Sequence, residues 1–236
     1  MLNVLIWNEN HHDTHDEKCM SIYPTGMHGT IKAFLECDDI KVTCVTMDME
    51  NCGLSKELLD ETDVILWWGH VAHHKVPDEI AAMVHERVLG GMGFIALHSA
   101  HHSKPFRRLM GTSCNLQWRD GDRCRVWCTT PSHPIAKDVP NGFLIEREEM
   151  YGEPFAIPNP DEVVFISAFS GGEAFRSGVT YRREHGKIFY FQPGHESNPT
   201  FHNPIVQTII KNAVRWAAPD FKLPPINCPH AVALGF

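Results

Sequence analysis

The 236-residue sequence contains no apolar run of the length that a membrane-spanning helix requires. Its first residues lack the charged segment and apolar stretch of a secretory signal, and LNVLIWN instead predicts a first strand. The eight cysteines include no CxxC pair, and Cys44 falls inside a predicted buried strand, which favours reduced thiols over a disulfide framework. We therefore expect a cytoplasmic protein without a membrane partner.

Excess positive charge and phosphate-binding motifs are also missing. Lys and Arg total 21 against 29 Asp and Glu, a formal net charge of −8, so no basic surface is expected to neutralise nucleic-acid phosphates. Neither GxxxxGKS/T nor GxGxxG occurs, so no glycine-rich loop is available to hold a nucleotide. We expect no nucleic-acid partner and no nucleotide cofactor.

The two halves of the chain differ in their predicted elements. Residues 1–111 alternate strand-like and helix-like segments, which is typical of parallel βαβ units. Residues 112–218 are mostly strand-like, with hairpin turns predicted at Asp120-Gly121 and at His185-Gly186, and they end in an amphipathic helix. Residues 219–236 form a Pro-rich tail. We interpret residues 1–236 as one α/β domain.

Ten of the sixteen histidines lie in four short segments that each follow a strand-like run. A doubly wound sheet brings the carboxyl ends of its strands to one edge, so these imidazoles are expected in one cleft. Imidazole is the commonest metal ligand in proteins. The alternative is a histidine-rich chain that scatters these side chains over loops and surfaces. The candidate metal ligands are His12, His70, His98, His101 and His195.

Residues 96–100 (ALHSA) lie where a strand should turn sharply into a helix. A nucleophile elbow needs small residues two positions before and two after its exposed residue, and Ala96 and Ala100 meet that need. The exposed residue would be His98, where a hydrolase carries Ser or Cys. The alternative is a histidine at the edge of the core, on an ordinary strand-to-helix turn.

Two other segments place acids near bases or aromatic groups. His195-Glu196 follows a Pro-Gly pair at a strand end, and it can supply a base with its orienting carboxylate, a metal ligand, or only a solvent-exposed turn. Glu149 and Tyr151 are two residues apart on a predicted strand, so they share a face. Most acidic runs of this kind, however, are solvated surfaces.

Two adjacent indoles, Trp67 and Trp68, end the third predicted strand. Neighbouring strand residues point to opposite faces, so one indole is expected in the core. The other, which we assign as Trp68, would then be free to stack on a sugar ring.

Taken together, these motifs resemble the ThuA-like, trehalose-utilisation family, whose fold is that of class I glutamine amidotransferases. The resemblance covers nearly the whole chain and rests on WNENHH, DVILWWGH, GMGFIALHSAHHSK, LMGTSC, EEMYGEPF, GGEAFRSG and FYFQPGHE. It implies a flavodoxin-like α/β three-layer sandwich with a mostly parallel central sheet and an added β-rich extension. The family's most characteristic residues correspond to His98, Glu149, Tyr151 and His195.

The resemblance also implies a role in the catabolism of trehalose and related disaccharides, including glycosides oxidised to keto-sugars. His98 stands in place of the amidotransferase cysteine, so glutamine hydrolysis through a thioester is not expected. We predict a metal-dependent enzyme in which the clustered histidines, with Glu149, hold one divalent transition metal ion, zinc first among the candidates. The residues assigned to catalysis are His98, Glu149 and His195, and those assigned to substrate binding are Trp68, Tyr151, Arg176 and Glu196.

Two other functions are compatible with the sequence. A metal-free hydrolase would use Ser99, or a water molecule activated by His98 or His195. A non-catalytic sugar-binding subunit would instead assist a separate enzyme. In the leading interpretation the partner is a neutral, unphosphorylated disaccharide or its keto derivative lying against Trp67 or Trp68. We also expect the protein to be a homo-oligomer.

Overall fold

Nine β-strands form one sheet in the computed structural model, which describes residues 1–221, 228–233 and 235. In chain order the strands are β1 Leu2–Asn8, β2 Ile40–Thr46, β3 Val64–Trp68, β4 Gly93–Leu97, β5 Gln117–Cys128, β6 Gly142–Gly152, β7 Glu162–Phe169, β8 Ala174–Arg183 and β9 Gly186–Phe191. Their order across the sheet is β2-β1-β3-β4-β9-β8-β7-β5-β6.

The sheet is mixed, so the prediction of a mostly parallel sheet is wrong. Strands β2, β1, β3, β4 and β9 pair in parallel. The pairings β9-β8, β8-β7, β7-β5 and β5-β6 are all antiparallel. A parallel neighbour needs a crossover of a dozen or more residues, and the short connections from β7 to β8 and from β8 to β9 leave no room for one.

Helices cover the parallel strands, which explains why those strands are apolar throughout. Every residue of β3 and of β4 is buried, as expected for parallel strands that are packed on both faces. Helices α3 and α7 contact each other and the sheet, whereas α4, α5 and α6 form a second group that contacts β9. The helices are α1 His11–His15, α2 Glu17–Ile22, α3 Gly26–Leu35, α4 Lys56–Glu61, α5 Asp78–Leu89, α6 Lys104–Met110 and α7 Pro204–Ala217.

The amphipathic helix predicted near the end of the chain forms as α7. The side chain of Asn203 accepts a hydrogen bond from the backbone N–H of Ile205, and Pro204 occupies the first helical position, a combination that favours a helix start here. No helix among the described residues is long and apolar enough to cross a membrane. Of the Pro-rich tail, residues 219–236, residues 222–227, 234 and 236 lie outside the described residues.

The hairpin turn predicted at Asp120-Gly121 does not form. Strand β5 continues through both residues, and its register against β6 shifts between Arg119 and Cys124, which marks a bulge. Gly121 has a positive φ of 74°, a conformation that a bulge can absorb without reversing the chain. The second predicted hairpin does form, but its turn residues are Glu184 and His185, because Gly186 is already paired in β9.

Candidate active site

A cleft of about 800 Å³ opens where the carboxyl ends of the parallel strands meet the β5–β6 pair. This edge of an α/β sheet is where such folds bind their ligands. His70 and His195 follow β3 and β9, and both line the cleft. Glu149, which also lines it, comes instead from the antiparallel strand β6.

The chain turns at His98 as predicted, but the imidazole is fully buried rather than exposed. Its φ is 53°, a left-handed conformation that a residue other than glycine keeps only when its surroundings impose it. The Nδ1–H group donates to the carbonyl oxygen of Gln192 at 2.9 Å, which directs Nε2 towards Glu149 in the cleft wall. There Nε2 lies 3.0 Å from Oε2 of Glu149 and 3.4 Å from the hydroxyl of Tyr151.

Charges around His98 and Glu149 favour an ion pair. Burial alone would lower the pKa of His98, but the carboxylate of Glu149, with those of Glu148 and Glu196, raises it to about 9. Burial would raise the pKa of Glu149, but His98 and its neighbouring histidines lower it below its usual range. The 3.0 Å contact is nevertheless misaligned, so Glu149 Oε2 is a buried oxygen without a hydrogen-bond donor.

A second group of side chains joins His12, His70 and Glu196. Nδ1 of His70 lies 3.1 Å from Nε2 of His12 and 3.2 Å from Oε2 of Glu196. Burial would raise the pKa of Glu196, but His70 and the other nearby imidazoles hold it well below its usual range. Oε2 of Glu196 is a second buried carboxylate oxygen without an aligned donor.

His195 carries its proton on the nitrogen that faces the cleft. Nδ1 accepts a hydrogen bond from the backbone N–H of Ser197 at 3.2 Å, so the proton of the neutral ring is on Nε2. Burial, with the nearby charge of His98, lowers the pKa of His195 to about 4. His195 is therefore a neutral hydrogen-bond donor near pH 7.

Two overlapping sets of these side chains could hold a metal ion. Ligand atoms within each set lie within 4.8 Å of one another, and His70 belongs to both sets. Imidazole and carboxylate donors without thiolate suit zinc and other divalent transition metals, and the two oxygens without donors are positions where a cation would fit. Within the described residues, the sets are His70, His98, Glu149 and His195, and His12, His70 and Glu196.

His101 belongs to neither set, although sequence analysis named it as a ligand. Its Nδ1–H group donates to the carbonyl oxygen of Cys114 at 2.8 Å, and its ring packs edge-on against Tyr151 and Phe155. Burial lowers its pKa well below the ordinary value. His101 is therefore part of the cleft wall.

The assignment of Trp68 as a stacking surface is wrong. The side chain is only 1% exposed, and its indole N–H donates to the carbonyl oxygen of Gly194 at 3.0 Å. Trp67 is also buried, stacked on Trp7 with ring centroids 3.9 Å apart. Both faces of β3 are covered, so alternation along this strand does not expose either indole. The exposed indole in the cleft is Trp118, which lies in the segment that sequence analysis interpreted as a hairpin.

Arg176 and Tyr151 are both occupied by protein partners. The guanidinium of Arg176 binds both oxygens of Glu153, at 2.7 and 2.9 Å, and the carbonyl oxygen of Phe155, so its donors hold the segment after β6 instead of a sugar. Tyr151 lines the cleft, but its hydroxyl is 2.6 Å from the hydroxyl of Ser99 and its ring stacks on His98.

Glu9, which was not among the predicted site residues, is a buried carboxylate that fixes the segment after β3. It accepts hydrogen bonds from the consecutive backbone N–H groups of His70, Val71 and Ala72 at 2.9–3.0 Å. The signal available in the sequence was an acidic residue directly after the first strand, within WNENHH. Glu9 thereby sets the position of His70.

Glu148 fixes the segment after β9 through backbone hydrogen bonds, as Glu9 fixes the segment after β3. It accepts from the backbone N–H groups of Glu149, Gly194 and His195 at 3.0–3.1 Å, and from the hydroxyl of Thr200 at 2.8 Å. Burial raises its pKa. Glu148 was not among the predicted site residues, because adjacent strand residues point to opposite faces and the sequence does not tell which face is buried.

The elbow at the end of β4, with the cleft beside it, defines an α/β protein with the architecture of class I glutamine amidotransferases and a histidine at the elbow. The sequence model of the ThuA family, described as trehalose utilisation, matches residues 3–217, so the chain belongs to that family. A search of curated proteins gives no match.

Solved structures support the fold. A ThuA-like protein from Bacteroides uniformis superposes with a TM-score of 0.68 at 17% identity, covering 94% of each chain. A cytoplasmic protein from Salmonella typhimurium LT2 gives 0.64 at 13% identity, over 92% of this chain and 100% of the other. A glutamine amidotransferase from Thermotoga maritima gives 0.55 at 11% identity, over 92% of this chain and 97% of the other.

Proposed function

We propose that this chain is a metal-dependent enzyme of carbohydrate catabolism that acts on a trehalose-related disaccharide or its keto derivative. The observation that carries the proposal is the convergence of three imidazoles and Glu149 within 4.8 Å. Glu149 Oε2 lies 3.0 Å from His98 Nε2 without an aligned hydrogen bond, and a divalent ion in place of the Nε2 proton would be held by both side chains. Membership in a trehalose-utilisation family supports the choice of substrate.

The hydrogen-bond partners suggest which residues hold the ion. His98 is oriented as a ligand because its Nδ1–H is bound to Gln192, the pattern in which a carbonyl fixes the tautomer of a metal-binding imidazole. The carboxylate of Glu196 lies 3.2 Å from Nδ1 of His70, although without the hydrogen-bond alignment of the His98–Gln192 pair. The proposed ligands are therefore His70, His98 and Glu149, three protein groups that leave a position open, as catalytic zinc sites do.

The remaining groups have separate roles. The ion supplies Lewis acidity to a sugar carbonyl or hydroxyl. His195 presents Nε2–H to the cleft and would donate a hydrogen bond from it to a sugar oxygen. Tyr151 supports the ring of His98 and holds the hydroxyl of Ser99. This proposal places His12 and His101 outside the ligand set that sequence analysis predicted.

The metal-free hydrolase is less well supported by the geometry. Among the hydrogen bonds of the described residues, the Ser99 hydroxyl is bound to Tyr151 and to no imidazole. A serine nucleophile needs a base within hydrogen-bond reach. We propose the cytoplasm as the location, which the name of the Salmonella structure supports; homo-oligomer formation stays a prediction.

Metal analysis of untagged protein tests the proposal. We expect about one transition metal ion per chain, and we expect a chelator to remove both the ion and turnover of 3-keto-trehalose. Restoring zinc should restore both. Less than about a tenth of an equivalent in every preparation, with turnover intact, would contradict metal dependence.

A further inference from the structure

The outer wall of the cleft carries two side chains that the proposed chemistry does not use. Trp118 is 64% exposed, and Arg147 is also exposed, yet both line the same cleft as Glu149. A large apolar side chain left open to solvent inside a cleft is a candidate contact for a ligand.

Strand register places these two side chains beside the catalytic groups. Trp118 pairs directly with Tyr151 across the antiparallel β5–β6 ladder, so their side chains are neighbours on one face. Arg147, Glu149 and Tyr151 alternate along β6 and therefore share that face. The wall thus continues from the proposed metal site outwards to Trp118 and Arg147.

The guanidinium of Arg147 is available to a ligand. The nearby arginines of β5 are engaged with acids: Arg119 with Asp122 and Glu173, and Arg123 with Glu146. Among the described residues, Arg147 forms neither a hydrogen bond nor an ion pair. Its five N–H donors can therefore bind hydroxyl groups of a substrate.

We infer that Trp118 and Arg147 form an outer subsite for the second ring of a disaccharide, an inference that rests on the proposed function. The indole face suits the C–H face of a pyranose, and the guanidinium donates to its hydroxyls. The volume of about 800 Å³ lies in the range of sites for drug-sized ligands, which leaves room for two rings. The substrate class is therefore a disaccharide, with one ring at the metal and the other at Trp118.

Calorimetric titration of the full chain with trehalose, maltose and glucose tests this subsite. We expect the disaccharides to bind about tenfold more tightly than glucose, and Trp118→Ala to remove that advantage while glucose affinity is unchanged. The matched control is Trp127→Ala, because Trp127 is a second exposed indole of β5, 45% exposed, that does not line the cleft. This control should bind all three sugars as the wild type does.

A second pair of variants tests the guanidinium. Arg147→Gln should weaken trehalose binding about three- to tenfold and leave glucose binding unchanged, since it removes one charged donor. Its control is Arg125→Gln, which changes an arginine on the same pair of strands that instead contacts the ring of Trp127.

The outcomes separate the subsite from the function on which it rests. Equal affinity of the wild type for trehalose and glucose, or unchanged trehalose binding in Trp118→Ala, would overturn the subsite while metal content and keto-glycoside turnover still supported the enzyme. Absence of binding by all three sugars would overturn the subsite, and absence of bound metal and of keto-glycoside turnover in the same preparation would overturn the proposed function as well. A Trp118→Ala variant that changes only its elution volume on gel filtration would reassign Trp118 to an interface between copies of the chain.

Discussion

The parallel and antiparallel parts of the sheet contribute to the cleft in different ways. Parallel strands β3 and β4 are buried along their whole length, so they can present functional groups only at their ends, where His70 and His98 follow them. The antiparallel strands β5 and β6 have exposed positions between buried ones, so they can line a cleft along their length. The first region supplies two of the proposed metal ligands, His70 and His98, and the second supplies the third, Glu149, together with the outer wall.

Gln192, which follows β9, joins the two regions. Its carbonyl oxygen accepts from His98, and its side-chain amide donates to the carbonyl oxygen of Glu149 at 2.8 Å. Strand β9 is itself parallel to β4 and antiparallel to β8. The site therefore lies where the parallel and antiparallel regions meet. Variants in the two regions should affect it by different amounts.

The largest effect is expected from His98→Asn, in the parallel region. Asparagine tolerates the positive φ but cannot place a ligand atom at the position of Nε2. We expect loss of the bound ion and a decrease in turnover of at least about a hundredfold, since even residues behind a metal ligand contribute 10–100-fold. Metal analysis and kinetics measure this, with His74→Asn, an exposed histidine, as the control. A variant that unfolds at lower temperature but keeps its metal would show His98 to be structural.

A smaller effect is expected when the support of a ligand is changed. Glu9→Gln replaces one acceptor oxygen by an NH₂ group that faces backbone N–H donors. We expect a loss of about 1–3 kcal/mol in the free energy of unfolding and metal binding weakened about 10–100-fold. Urea unfolding and competition with a zinc indicator measure these, and Glu86→Gln on the exposed face of α5 is the control. Unchanged zinc affinity in a destabilised variant would restrict Glu9 to a structural role.

Ser99→Ala tests the hydrogen bond that joins the elbow of the parallel region to Tyr151 of the antiparallel region. If the only role of Ser99 is its hydrogen bond to the hydroxyl of Tyr151, turnover should fall less than about tenfold, which corresponds to the free energy of one hydrogen bond. Steady-state kinetics with 3-keto-trehalose measure this. A decrease of more than about a thousandfold, with metal retained, would favour the serine-dependent hydrolase instead.

The smallest effect concerns Asp122, which holds the bulge of β5. Burial would raise its pKa, but hydrogen bonds from Ser170 and Arg119, with the N–H of Arg123, lower it to about 2 from the ordinary 3.8. Because the folded-state pKa is lowered, the carboxylate stabilises the fold above about pH 4, and this contribution fades as the pH falls towards 2.

Asp122→Asn should therefore lower the free energy of unfolding by about 1–2 kcal/mol at pH 7, and by less near pH 3. Urea unfolding of both proteins at the two pH values measures the difference. A difference that stays constant with pH would mean that the charge of Asp122 is not responsible.

Much of the parallel region could be predicted from the sequence, because its signals are local. The alternation of apolar runs and helical segments over residues 1–111, and the small residues around His98, depend only on neighbours in the chain. The antiparallel region was harder to predict, because its strands do not alternate with helices and because Asp120-Gly121 is compatible with a bulge as well as with a turn.

The sequence by itself determined the family, the gathering of histidines after strands, and the absence of a thiol at the elbow. Only the tertiary structure decided that Trp68 is buried and Trp118 exposed, and that Arg176 is bound to Glu153. It also decided the orientation of His98, because its partner Gln192 is 94 residues away in the chain. These properties depend on contacts between distant segments, which local periodicity does not encode, and they are the ones that give the cleft its chemistry.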